Sequence, residues 1–127
     1  MPISIKTDRS KDMTLFTVRG TVTLAELTEV LNAYGKTGPT RSELYDMRAL
    51  EGERLSRDEI DALASYIKRF TPTTRPTDSR TAIVVTEDVD YGIARMIALV
   101  TEDEVPFRVE VFRTIEAAED WIGVNRD

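Results

Sequence analysis

The stretch TAIVVTEDVDYGIARMIALV, residues 81–100, decides the fold of this 127-residue chain. Its first five residues form a nearly unbroken apolar run, which is typical of a strand buried on both faces of a parallel sheet. From Asp88 to Val100 the apolar spacing changes to that of a helix, and Arg95 is the only charge in the last ten positions. The stretch therefore predicts a strand followed by a helix that is covered on more than one side.

Strand and helix patterns alternate in the same way along the rest of the chain. A β-β-α-β-α-β-α-β-α order implies right-handed βαβ crossovers, and hence one α/β domain over residues 1–127. Its sheet is expected to be mostly parallel and five-stranded, with an antiparallel N-terminal strand. Residues 71–79 are rich in Thr and Pro and are predicted to form a surface loop. The remaining predicted strands lie near 3–5, 13–18, 43–47 and 107–111, and the remaining helices near 24–34, 57–70 and 114–122.

The composition excludes several classes of function. Cysteine and histidine are both absent, which removes thiol nucleophiles, disulfides, Cys/His zinc sites and histidine general bases. The chain carries 17 Lys and Arg against 23 Asp and Glu, a formal charge of -6, which is the wrong sign for a nucleic-acid-binding protein. The charge therefore predicts no nucleic-acid partner, and metal binding through oxygen ligands remains open to such a composition, although we predict no metal site and no cofactor.

The beginning of the sequence carries no targeting signal. Residues 1–6 lack a basic segment followed by an apolar one, and no apolar run approaches the roughly 18 residues of a membrane span. These features predict a cytoplasmic protein without stable membrane insertion.

The carboxyl ends of the parallel strands are the expected place for a ligand, because helix N-termini at that edge favour anions. Two arginines, Arg48 after the third strand and Arg95 in the third helix, are predicted to converge there. In the alternative interpretation, Asp46 pairs with Arg48 or Arg95 and only connects strand to helix, since a charge in an apolar setting needs a partner. The candidate ligand-binding residues are Asp46, Arg48, Thr86, Tyr91 and Arg95.

Four segments together resemble the SpoIIAA-like family of small bacterial proteins, which is related to STAS domains and also described as STAS/SEC14-like. They are residues 18–23, 44–48, 91–96 and 111–122, in an order and spacing that span nearly the whole chain. The resemblance implies a β-α superhelical sheet with its helices mainly on one side.

The resemblance also bears on Ser56. Sigma antagonists of this fold bind a partner kinase and are phosphorylated on a serine at the start of the helix after the third strand. Ser56 is the hydroxyl near that position, although the glycine of the family's motif is missing. Ser56 is therefore a candidate phosphorylation site or, in the alternative, a helix N-cap in a capping box with Glu59.

These observations favour a non-enzymatic STAS-like module that binds a protein partner or a small anionic or lipid-like ligand, and we predict a homodimer. One alternative is a small carboxylate-dependent enzyme using Asp46 or a neighbouring acid, which would require a pocket that raises the pKa of a carboxyl group. Another is a purely structural oligomer, which a lack of any cavity at the strand ends would favour.

Overall fold

The computed structural model describes residues 2–70, 78–101 and 107–123. Its element order is the predicted one, while residues 71–77 of the predicted loop lie outside the described residues. The elements are β1 Ile3–Asp8, β2 Met13–Gly20, α1 Leu24–Gly35, β3 Ser42–Leu50, α2 Arg57–Phe70, β4 Arg80–Val84, α3 Asp88–Thr101, β5 Arg108–Phe112 and α4 Ile115–Ile122.

The five strands form one sheet in sequence order, β1-β2-β3-β4-β5. β1 pairs with β2 antiparallel, and every later pairing is parallel, which confirms the predicted fold class. Because each parallel connection steps to the next strand in the same direction, right-handed crossovers place α1, α2 and α3 on the same face of the sheet.

The two faces of the sheet hold separate apolar cores. On the three-helix face, Val18 and Val85 are buried with Leu27, Leu63 and Ala94 from α1, α2 and α3. On the opposite face, α4 is the helix within the described ranges that packs against the strands. The buried core there consists of Leu44, Ala82, Val84, Ala118 and Ile122. The helices thus lie mainly on one side, as the family resemblance implies.

β4 is buried as predicted, and α3 packs against both β5 and α2, so it is covered on more than one side as predicted, although part of it stays exposed. Val89, Leu99 and Val100 of α3 are 56%, 59% and 46% exposed. α3 is the last crossover helix and lies towards the β5 edge, and among the described helices α2 flanks it on one side. Its high apolar content therefore reflects both core packing and an exposed apolar surface.

Candidate functional site

The carboxyl edge of the sheet is formed by the loops that follow the parallel strands, at residues 21–23, 51–56, 85–87 and 113–114. At this edge, α2 begins with a capping box. Ser56 Oγ accepts from the Glu59 amide (3.2 Å), and Glu59 Oε1 accepts from the Ser56 amide (2.8 Å). This reciprocal capping box begins α2 and leaves Ser56 exposed on the edge.

Asp46 and Arg48 form a bidentate ion pair. Arg48 Nε and Nη2 donate to Asp46 Oδ1 and Oδ2 at 2.9 and 3.0 Å, and the Arg48 amide also donates to Oδ1 at 3.2 Å. These hydrogen bonds lower the pKa of the Asp46 carboxyl, although burial opposes them. The pKa of Arg48 is raised mainly by Asp46 and to a lesser extent by the charge of Glu116, which lies at the start of α4. The pair therefore lies on the α4 face of the sheet.

The structure does not bring Arg95 to this pair. Arg95 is exposed on α3, which covers the opposite face of the sheet. The predicted convergence of Arg48 and Arg95 is wrong, because the pleat of β3 directs Asp46 to the same face as Leu44. Of the two pairings that were open for Asp46, the structure contains the one with Arg48.

Thr86 and Tyr91 are brought together by Arg113, which the sequence did not single out. Arg113 Nη1 donates to the Thr86 carbonyl at 2.9 Å, and Nη2 donates to Asp88 Oδ1 at 2.8 Å. The guanidinium carbon lies 4.4 Å from the Tyr91 ring centroid, within cation–π distance. The sequence did offer one signal for Arg113. This residue directly follows β5, which places it at the carboxyl edge of the sheet.

A second arginine outside the sequence candidates, Arg54, joins the β3–α2 loop to the start of α3. Its Nε and Nη2 donate to Asp90 Oδ1 and Oδ2 at 2.7 and 3.1 Å, and Nη2 also donates to Glu87 Oε2 at 3.1 Å. The Asp90 side chain is only 6% exposed and that of Arg54 19%. Further bonds run from Arg54 to the carbonyls of Gly52 and Leu50, at 2.7 and 3.4 Å. We call this arrangement the Arg54 clamp.

The β3–α2 loop is also held from its other side. Thr21 Oγ1 donates to the Glu51 carbonyl at 3.0 Å. Gly52 has a φ of +73°, and a Cβ there would collide with the Thr21 side chain. The loop is therefore packed between the β2–α1 turn and α3.

A cavity of about 160 Å³ lies between the sheet and the three helices. Apolar side chains form nearly all of its wall, among them Phe16, Val18 and Ile97. Arg54 and Asp90 line it at the carboxyl edge, and Glu43 and Thr81 line it where β3 and β4 begin.

Glu43 is a buried acid that the sequence patterns did not single out. Its side chain lies in the cavity wall, with the residue only 3% exposed, and Oε1 accepts from Thr81 Oγ1 at 3.2 Å. Burial, and secondly the charge of Glu43, raises the pKa of the Tyr34 hydroxyl. Within the described part of the chain, no cluster of acidic side chains could hold a metal ion.

The sequence matches no protein-family model and no curated protein. The fold, however, is similar to that of a solved protein, described as an anti-sigma factor antagonist from Mycobacterium paratuberculosis. The two chains are 14% identical and superpose with a TM-score of 0.60, over 95% of this chain and 92% of the other. The chain therefore has the SpoIIAA-like fold that the sequence resemblance predicts. None of the described helices is long and apolar enough to cross a membrane.

Proposed function

We propose that residues 1–127 form one non-enzymatic STAS-like module of the bacterial cytoplasm, which binds a protein partner through the carboxyl edge of its sheet. The Arg54 clamp carries this proposal, because it makes one continuous surface from the β3–α2 loop and the start of α3. Support comes also from the shared fold, since the similar solved protein is named as an antagonist of an anti-sigma factor.

The chemistry of this edge indicates what the partner offers. Glu51, Glu53 and Glu87 are exposed there, and Val89 adds an exposed apolar side chain in the first turn of α3. Complementary charge steers association and selects partners. The expected partner surface is therefore basic, with an apolar contact for Val89.

Site-specific photocrosslinking in the native cells tests this proposal. A photoreactive residue at Glu53 or Val89 should give the same crosslinked protein, identified by mass spectrometry. The same residue at Glu110, which is exposed on β5, is the matched control and should not capture that protein. Equal capture from all three positions would contradict binding through the carboxyl edge.

Phosphorylation of Ser56 is part of the same proposal. Its exposed hydroxyl at the start of α2 is accessible to a kinase, and a phosphate there would gain from the helix dipole. Mass spectrometry of the protein isolated from its native cells should find a phosphate on Ser56, and the Ser56→Ala chain should lack that phosphopeptide. A Ser56 that remains unmodified under all growth conditions would contradict this part.

A small-molecule ligand is the second candidate function, and the cavity favours a lipid-like one. The anionic ligand proposed for Asp46, Arg48, Thr86, Tyr91 and Arg95 has less support, because Asp46 already occupies the Arg48 guanidinium. The lowered pKa of Asp46 is likewise the opposite of what the carboxylate-enzyme alternative needs. The purely structural alternative is disfavoured by a cavity that reaches the strand ends.

A further inference from the structure

We propose that the cavity beneath α1, α2 and α3 binds an uncharged, single-chain apolar molecule, of the chemical class of a medium-chain alcohol. This inference rests on the lipid-like part of the proposed function and names its ligand class.

The extent of the cavity wall favours a chain over a compact ring system. Its wall follows β3 from Glu43 to Leu50, about 23 Å at ~3.3 Å per residue. Along α3 it extends from Asp90 to Thr101, about 16 Å at ~1.5 Å per residue. An extended chain can therefore contact the lining residues of both elements along their length.

The wall chemistry favours a hydrocarbon. Aliphatic and aromatic side chains from all five strands and from α1, α2 and α3 converge on the cavity. Apolar cavities of about 150 Å³ are large enough to accept small apolar molecules. The representative wall residues are Phe16, Val30, Leu63, Ile83, Ala94 and Ile97.

The charges at the ends of the cavity disfavour an anionic head group. Among the described wall residues, Arg54 is the cation, and all three of its nitrogens already donate to Asp90, Glu87 or backbone carbonyls. A ligand carboxylate would have to displace Asp90 from Arg54, and a charged head left unpaired in an apolar cavity is costly.

A hydroxyl head group fits both ends better. Glu43 and Asp90 present carboxyl oxygens, which can accept hydrogen bonds. An alcohol can donate to such an oxygen, whereas a deprotonated fatty acid has no proton to donate. The expected selectivity is therefore alcohol over carboxylate at equal chain length.

The experiment compares n-octanol with octanoate and octylamine by NMR titration of the full chain. Octanol should shift the resonances of Ile97 and Leu63 and bind at least tenfold more tightly than octanoate, whereas octylamine, whose ammonium could pair with Glu43, tests whether the head group is uncharged. Ala94→Leu, which adds side-chain volume inside the cavity, should weaken octanol binding at least tenfold. Ala62→Leu, on the exposed side of α2, is the matched control and should leave binding unchanged.

Each other outcome overturns a defined part of the reasoning. Octanoate or octylamine binding as tightly as octanol would overturn the uncharged head group while leaving a lipid-like ligand in place. Binding of none of the three would overturn both this inference and the lipid-like candidate, but not the protein-partner proposal. Unchanged octanol binding in Ala94→Leu would place the ligand outside the cavity. If Ala94→Leu does not fold, Ile97→Phe provides the same test.

Discussion

Replacement of Arg54 by methionine should be among the most destabilising single changes at the carboxyl edge. It leaves the Asp90 carboxylate, 6% exposed, without the guanidinium that binds both of its oxygens. Breaking a buried ion pair by removing one partner costs about 3–5 kcal/mol. The bond to Glu87 adds about 0.2–1 kcal/mol at most, because that side chain is 66% exposed.

The expected loss is large against the whole free energy of unfolding, which is about 5–15 kcal/mol for a domain. Asp90→Asn should cost less, about 1–3 kcal/mol, since Arg54 keeps Glu87 and two backbone carbonyls as acceptors. The double variant should therefore be more stable than the sum of the two single changes predicts, with a coupling of about 0.5–3 kcal/mol.

Urea denaturation followed by the fluorescence of Trp121 measures all three variants. Arg57→Met is the matched control, because Arg57 is 74% exposed and should lose less than about 0.5 kcal/mol. The reasoning is refuted if Arg54→Met costs no more than Arg57→Met. It is also refuted if the changes at Arg54 and Asp90 are additive.

Three further predictions concern the cap, the surface pair and the exposed helix. Ser56→Ala should lower the free energy of unfolding by about 0.5–2 kcal/mol while Ser56→Asp retains most of it, and urea midpoints that match the wild type for Ser56→Ala would contradict the capping role. Because folding lowers the pKa of Asp46, this residue should stabilise the folded chain near neutral pH and lose that contribution as the pH falls from about 5. Asp46→Asn should remove this part of the acid dependence, and identical pH profiles of unfolding for the variant and the wild type would contradict it. Leu99 and Val100 are exposed apolar residues of α3 that a second copy of the chain could cover. Leu99→Lys should therefore dissociate the predicted dimer, as measured by light scattering. A wild-type protein with the mass of a monomer at high micromolar concentration would contradict the dimer.

The unequal success of the site predictions has a structural reason. The capping spacing of Ser56 and Glu59 is local, and it defines the start of α2 in the structure as it does in the sequence. The Arg54–Asp90 pair joins residues 36 positions apart, and no local spacing indicates that they meet. Asp90 lies in the first turn of α3, where the helix dipole by itself accounts for an acid without any partner.

The sequence by itself determined the order of the elements, the mostly parallel sheet and its antiparallel first strand, because apolar periodicity and turn residues act over a few positions. Only the tertiary structure decided which charges meet. The pleat of β3 directs Asp46 and Arg48 to the α4 face, while the crossovers place Arg95 over the other face. The cavity too belongs to the tertiary structure alone, since its volume depends on how closely three helices pack on one sheet, which no single segment encodes.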